Sequence, residues 1–248
     1  MNSHLTVSDL KSFAKEHLFG NYPQLVTSVI IAQLLVWFLS RIVASIADTS
    51  SMAGLIIYYL IYILINLLAG ILSYGESYQY LSVASGKPTS VSDLFNGFRQ
   101  SGEQNAAITQ TALILALLTS LFTIPEEVFL NLYYSTGSDT YLIIMSILLV
   151  VLGIPVIIVS LMFSQVYFIL LDFPRYHTKE AFALSIKLMK GNKWRLMRVI
   201  LSFIPMILLG IMTLGLGLLW IGPYMNCTMA EFYLDLVKKV HPDNGSGK

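Results

Sequence analysis

Five stretches of this chain are apolar for about twenty residues or more, and that feature limits the available folds to very few. The stretches run from Gln24 to Ile46, Ala53 to about Tyr74, Ala106 to Ile124, Tyr141 to Leu171, and Met197 to Leu234. A helix of about 20 residues matches the ~30 Å hydrocarbon core of a bilayer. Only helices, or barrels with no open edge, satisfy every backbone N–H and C=O inside lipid. The runs are continuous rather than alternating, so helices are predicted. Charged residues make up 12% of the 248-residue chain and hydrophobic residues 56%. A soluble domain carries roughly twice that charge. The expected fold is all-α, a polytopic transmembrane helical bundle of about six spans.

The fourth run is about 46 Å long as a helix, too long for one crossing and too short for two. Gly153-Ile154-Pro155 lies within it. A single helix kinked there, continuing past the bilayer, is expected. The last run divides in two ways. It is either two short spans separated at Gly215-Leu216-Gly217, or one span and a surface helix. Basic residues decide, because they collect on the cytoplasmic side. With two short spans, 14 of the 15 bases lie on one face and Arg41 alone on the other. The expected spans are therefore 24–46, 53–74, 106–124, 141–171, 197–213 and 218–234. An amphipathic cytoplasmic segment (1–22) and a cytoplasmic tail (235–248) flank them. The segment from Pro125 to Thr140, with Glu126, Glu127 and Asp139 and no base, is expected as an outer loop. Trp194 falls at the inner boundary, and Trp37 and Trp220 toward the outer one. The first 22 residues are polar and lack the form of a cleaved leader, so the first span is expected to be retained.

A short amphipathic helix is expected before each odd-numbered span. Leu10, Phe13, Ala14 and Leu18 share one face; so do Val91, Leu94, Phe95 and Phe98, and Ala181, Leu184, Ser185 and Leu188. Such helices are expected to lie flat in the inner interface. The segments also echo one another. Val7-Ser8-Asp9-Leu10 recurs as Val91-Ser92-Asp93-Leu94, and Leu18-Phe19-Gly20-Asn21 recurs loosely as Met189-Lys190-Gly191-Asn192, with Gly102-Glu103 between. Three parallel hairpin units, each introduced by an interfacial helix, would produce this pattern.

Reactive chemistry is sparse. Cys227 is the only cysteine, so no internal disulfide can form. His4, His17, His177 and His241 are read as surface residues. No zinc-protease, phosphate-loop or nucleophile-elbow motif occurs. No catalytic residue, metal or cofactor is expected. The glycines at 215 and 217 suit a tight turn. Glu76 and Asp172 are the ionisable candidates, both read at the inner ends of their spans, with Glu231 and Asp235 at the inner end of the last. Arg41 could reach outward to Asp48. At the midplane, Gln33, Asn66, Gln110, Gln165 and Asn226 either bond between helices or line a polar path. Asn66, Gln110 and Gln165 join Glu76 and Asp172 as candidate functional residues. Lys187, Lys190, Lys193, Arg195 and Arg198 crowd before the fifth span. They set topology, attract anionic lipid headgroups at about 1 kcal/mol per base, or do both.

The last third contains Ala181, Ser185, Met189, Gly191-Asn192-Lys193-Trp194-Arg195-Leu196 and Leu201-Ser202-Phe203-Ile204. The run Leu214-Gly215-Leu216-Gly217-Leu218-Leu219-Trp220-Ile221-Gly222-Pro223-Tyr224 follows, then Thr228, Ala230, Phe232 and Tyr233. Over residues 175 to 236 this resembles the bacterial membrane-protein family known as domain of unknown function 975, common in Firmicutes. It departs at Ile204-Pro205-Met206, where the family pattern leads one to expect Ile-Gly-Trp. The resemblance implies a multi-pass protein of a Gram-positive plasma membrane and carries over no catalytic residue. Three functional classes follow from these readings. One is a non-enzymatic protein that organises, senses or stabilises the membrane or a partner complex at its inner face, with membrane lipids, a protein partner or a second copy as its associates and no nucleic acid. The second is a small-solute transporter or permease component. The third is an enzyme acting on a lipid-linked substrate.

Overall fold

The computed structural model describes residues 4–46 and 51–240. Helix α1 (Val7–Leu18) leads into α2 (Tyr22–Ile46) and α3 (Met52–Ala84). A 3-10 turn (Val91–Phe95) and α4 (Asn96–Arg99) lead into α5 (Gly102–Thr136), α6 (Asp139–Phe163) and α7 (Val166–Asp172). Helix α8 (Thr178–Met189) leads into α9 (Lys193–Leu201), α10 (Ile204–Met212) and α11 (Leu218–Val240). The all-helical bundle is as expected. The readings for Asp48, His241, Lys248 and the tail beyond 240 lie outside the described residues.

Among the described residues, five helical stretches are long and apolar enough to cross a membrane: α2, α3, α5, α6 with α7, and α9 with α10. The chain is a helical membrane protein. The expected sixth span, α11, is long enough at 23 residues but is not among the five. Its sequence carries Asn226, Glu231 and Asp235, and the reason is packing. Helix α11 is enclosed by α1, α2, α3 and α10, and Cys227, Thr228, Ala230, Glu231, Phe232, Tyr233 and Asp235 are buried on it. A helix sheathed by protein meets little lipid and can carry polar groups. The α6–α7 stretch is the converse: it is the most apolar of the five and none of its most apolar window is buried.

Several expected boundaries move. The helix of the third span does not stop at Pro125. Helix α5 runs through it to Thr136 and ends at Gly137 (φ 68°), whose N–H donates to the Tyr133 carbonyl at 2.8 Å. The outer loop read from Pro125 to Thr140 shrinks to residues 137–138. A proline removes one donor, which a long membrane helix tolerates. The helix of the second span runs on to Ala84, so Glu76 lies within α3. At 33 and 35 residues, α3 and α5 are each about 50 Å long and outrun the ~30 Å core. In the fourth span the helix is interrupted at Ser164–Gln165 and continues through Pro155. There the Ser164 hydroxyl donates to the Leu161 carbonyl at 2.9 Å, and the Gln165 amide donates to Ser164 Oγ at 2.8 Å. The fifth span breaks at Ser202–Phe203, one residue before Ile204-Pro205. Pro205 has no N–H with which to continue the ladder, so the departure from the family pattern falls on the break.

Each of the three lead-in segments opens in the same way. The carboxylates of Asp9, Asp93 and Glu180 accept the backbone N–H of Thr6, Ser90 and His177 at 2.9, 2.8 and 2.9 Å. The first and third also close alike. Gly20 (φ 84°) and Gly191 (φ 83°) turn the chain, and the next residues, Asn21 and Asn192, donate to the His17 and Leu188 carbonyls. The second uses Gly102 (φ 61°) and Asn105, which donates to the Gln100 carbonyl. The apolar faces expected to meet lipid are covered by protein. Leu10, Ala14 and Leu18 of α1, and Ala181, Ser185, Leu188 and Met189 of α8, are buried against the bundle, while Phe13 and Phe98 stay exposed. The second segment is a 3-10 turn and a single α-helical turn pressed onto α3.

Both described ends of the chain lie at one pole of the bundle, since residue 4 touches residue 235. The lead-in segments gather there, and most of the core lies with them, centred on Tyr74, Phe168, Phe203, Phe232 and Tyr233. The opposite pole consists of the short link at 137–138 and the turn from α10 to α11. In that turn Leu214 (φ 57°) and Gly215 (φ 85°) reverse the chain, and Gly217 packs on Gly210 so closely that a Cβ would sit 2.8 Å from the Gly210 Cα. This is the tight turn expected from those glycines.

Candidate functional site

The terminal pole holds the densest set of directional interactions. Glu231 and Asp235 are one turn apart on α11 and share a face. Asp235 Oδ2 lies 2.6 Å from the Arg195 guanidinium and 3.0 Å from His4 Nδ1, and its other oxygen accepts the Leu5 N–H at 3.3 Å. Arg195 also donates to the Leu5 carbonyl at 3.0 Å and stacks over the Phe232 ring at 4.7 Å. Glu231 lies 2.7 Å from His17 Nδ1. Partial burial works to raise the Asp235 carboxyl, but His4, the Arg195 charge and the Leu5 N–H outweigh it and hold the group below its ordinary range. Lys11 closes the far side of α1. Its ammonium donates to the Ser202 carbonyl at 3.1 Å and sits 4.1 Å from the Phe203 ring centre. Together these contacts clasp the first residues of the chain to α9 and α11.

His4 stays exposed and His17 is half-buried, and both are also partners of carboxylates. Their partners were legible only as two acids four apart on a helix. The 13-residue spacing of the histidines gives no sign that both meet it.

The proposed polar residues are scattered. Asp172 is exposed and accepts the Tyr233 hydroxyl at 3.0 Å. It borders a hollow of about 200 Å3 with Tyr78, Ser82 and Lys87. Glu76 is half-buried on α3 and does not line that hollow, so the two carboxylates are not brought together. Asn66 donates to the Tyr62 carbonyl of its own helix at 2.9 Å. Gln110 is exposed and accepts the Thr178 hydroxyl at 3.1 Å, pinning the start of α8 to α5. Gln165 is fully buried, with its Oε1 unpaired among the described residues. The cleft between α5 and α6 is lined by Thr119, Phe122, Ser160, Ser164 and Tyr167 among others, and by none of Asn66, Gln110 and Gln165. Cys227 is buried, its thiol against the Ala14 carbonyl.

Of the five bases before the fifth span, Arg195 turns inward onto Asp235 and is not free for a headgroup. Lys187, Lys190 and Arg198 are exposed, and Lys193 is half-buried. Asp235 and Glu231 are thus paired inside the pole, while Lys187, Lys190 and Arg198 face outward.

A family model described as a protein of unknown function, DUF975, matches residues 1–240. The chain belongs to the DUF975 family. The match extends the resemblance seen in the last third over nearly the whole chain, so the first two lead-in segments and their hairpins are DUF975 sequence as well. No curated protein and no solved structure matches this DUF975 chain.

Proposed function

We propose that this protein is a non-enzymatic, multi-pass component of a Gram-positive plasma membrane, with both ends in the cytoplasm. Its terminal pole is a braced, basic platform on anionic headgroups that organises or stabilises the membrane, or a partner complex, at the inner face. One observation carries this reading. The carboxylates of Asp235, Glu231 and Asp172 are engaged by internal partners, while Lys187, Lys190 and Arg198 stand exposed on the neighbouring helices. An outward array of unpaired bases on a rigid support attracts anionic lipid by about 1 kcal/mol per base.

The full chain, reconstituted in mixed phosphatidylglycerol and phosphatidylcholine nanodiscs, tests it. Combined Lys187→Gln, Lys190→Gln and Arg198→Gln replacement is expected to strip most of the retained phosphatidylglycerol without unfolding the protein. Equal retention by parent and variant would remove the platform reading. For orientation, Ser138→Cys is expected to react with an impermeant thiol reagent from outside intact cells, and Lys190→Cys is not.

A second reading, a small-solute transporter, draws support from the unpaired buried oxygens of Thr111, Ser120, Thr123, Gln165 and Tyr167, which belong to α5, α7 and the break between α6 and α7. Buried polar atoms without partners call for water or a polar guest. Solute flux into proteoliposomes, abolished by Gln165→Leu, would favour this reading over the platform.

A further inference from the structure

At the pole opposite the chain ends, a cleft of about 320 Å3 opens between α2, α3 and α5. Tyr58 and Tyr59 of α3 form one wall, their rings 5.2 Å apart and edge to face at 71°. Glu127 and Asn131, one turn apart on α5, form the other. A smaller hollow shares Tyr58 and Glu127 with it and adds Tyr62. The helix continues through Pro125, and this brings Glu127 to the tyrosines; in a loop beyond Pro125 it would have no fixed partner.

We propose that this cleft binds an organic ammonium cation. The faces of aromatic rings attract such cations, and the attraction grows when water is excluded. A carboxylate beside the rings supplies the countercharge. Glu127 forms no ion pair among the described residues, so that charge is available. Arg41 borders the smaller hollow only, which directs a cation to the wider cleft, away from its charge. The volume is at the low end for small-molecule sites and suits a headgroup-sized ligand. The shared chemistry is a substituted ammonium group. It could belong to a zwitterionic lipid or to a free solute, and the experiment separates the two.

The full chain is placed in nanodiscs made only of phosphatidylglycerol, which carries no ammonium, and titrated with choline by calorimetry. Saturable binding is expected, with none for dimethylbutanol, the uncharged carbon analogue of choline. Glu127→Gln is expected to weaken binding about tenfold, and Tyr59→Leu by a similar factor. Tyr59→Phe keeps the ring and is expected to keep the affinity, which controls for folding. Repeating the titration with phosphatidylethanolamine in the nanodisc assigns the source. Competition marks a lipid headgroup as the occupant and unchanged affinity marks a solute; the proposal stands in both cases. Absence of saturable choline binding, equal binding of dimethylbutanol, or an unchanged affinity in Glu127→Gln would overturn it.

Discussion

The two poles of this bundle are built on different principles. At the terminal pole, side chains from α1, α9 and α11 meet through ion pairs, a stacked guanidinium and a lysine seated on an aromatic ring. Large side chains there are buried. Toward the opposite pole, α2, α3, α6 and α10 expose Trp37, Ile56, Ile147 and Leu209 along their lengths. Water would not tolerate that surface, but lipid does. One half is held by specific contacts between protein groups, whereas the other keeps its helices in place chiefly because each satisfies its own backbone in hydrocarbon. A change of a single atom should therefore be felt at the first pole and tolerated at the second.

The largest effect is expected at Gly75. The second lead-in segment lies so close to α3 that a Cβ on Gly75 would fall 1.8 Å from the Leu94 carbonyl oxygen. Gly97 repeats the approach from the other side, with a Cβ placed 2.8 Å from Ile71 Cγ2. Backbone cannot yield as the end of a side chain can. Gly75→Ala is expected to push the segment off α3 and cost about 3 kcal/mol, read as a lower unfolding midpoint in detergent–denaturant titration. An unchanged midpoint would mean that the segment is not seated there. Gly222→Ala, which meets nothing within 4 Å, is the matched control.

Next in size is the clasp. The side chains of Arg195 and Asp235 are 12% and 9% exposed, so removing one leaves the other charge largely out of water. Arg195→Gln is expected to cost about 2 kcal/mol, below the range for fully buried pairs because the site touches solvent. Acidity probes the same contact more gently. The Asp235 carboxyl is held below its ordinary value in the folded protein. Its contribution is complete above the unfolded value of about 3.9 and is lost as the pH falls through the folded value. The melting temperature should therefore drop on acidification below about pH 4, and drop less steeply in Asp235→Asn. Parallel acid limbs in the two proteins would show that other groups carry the acid sensitivity.

The sequence was most legible where lipid is the solvent. Runs such as Gln24 to Ile46 fix a helix by hydropathy alone, and α2 matches that run within two residues. It was least legible where protein replaces lipid. Glu231 and Asp235 lower the hydropathy of α11, yet α11 is among the best-buried helices, and hydropathy cannot tell a polar residue facing water from one facing a partner. Pro125 misled for a related reason: a proline that would end a helix in water is tolerated inside a long membrane helix. The caps were readable as recurring Val-Ser-Asp-Leu, but the lead-in faces were assigned to lipid because amphipathic spacing does not say what covers the apolar side. His4 and His17 were missed because their partners are more than 200 residues away in the chain.

The smallest effect is expected in the middle of α6, and it tests the other half of the comparison. Ile147 is 57% exposed on that helix. In a soluble core, trimming isoleucine to alanine costs about 2–5 kcal/mol because a cavity remains and apolar surface is lost. On a lipid-facing surface neither term applies: acyl chains fill the gap, and hydrocarbon surrounds the side chain in both states. Ile147→Ala is therefore expected to change stability by less than about 0.5 kcal/mol, whereas Leu10→Ala, fully buried at the terminal pole, should cost about 2 kcal/mol. The two are to be measured side by side in the same bilayer mimic. A comparable cost at both positions would mean that protein, not lipid, covers α6, as it would in an assembly of several copies. The two poles would then differ in which chain supplies the contacts and not in whether contacts are made.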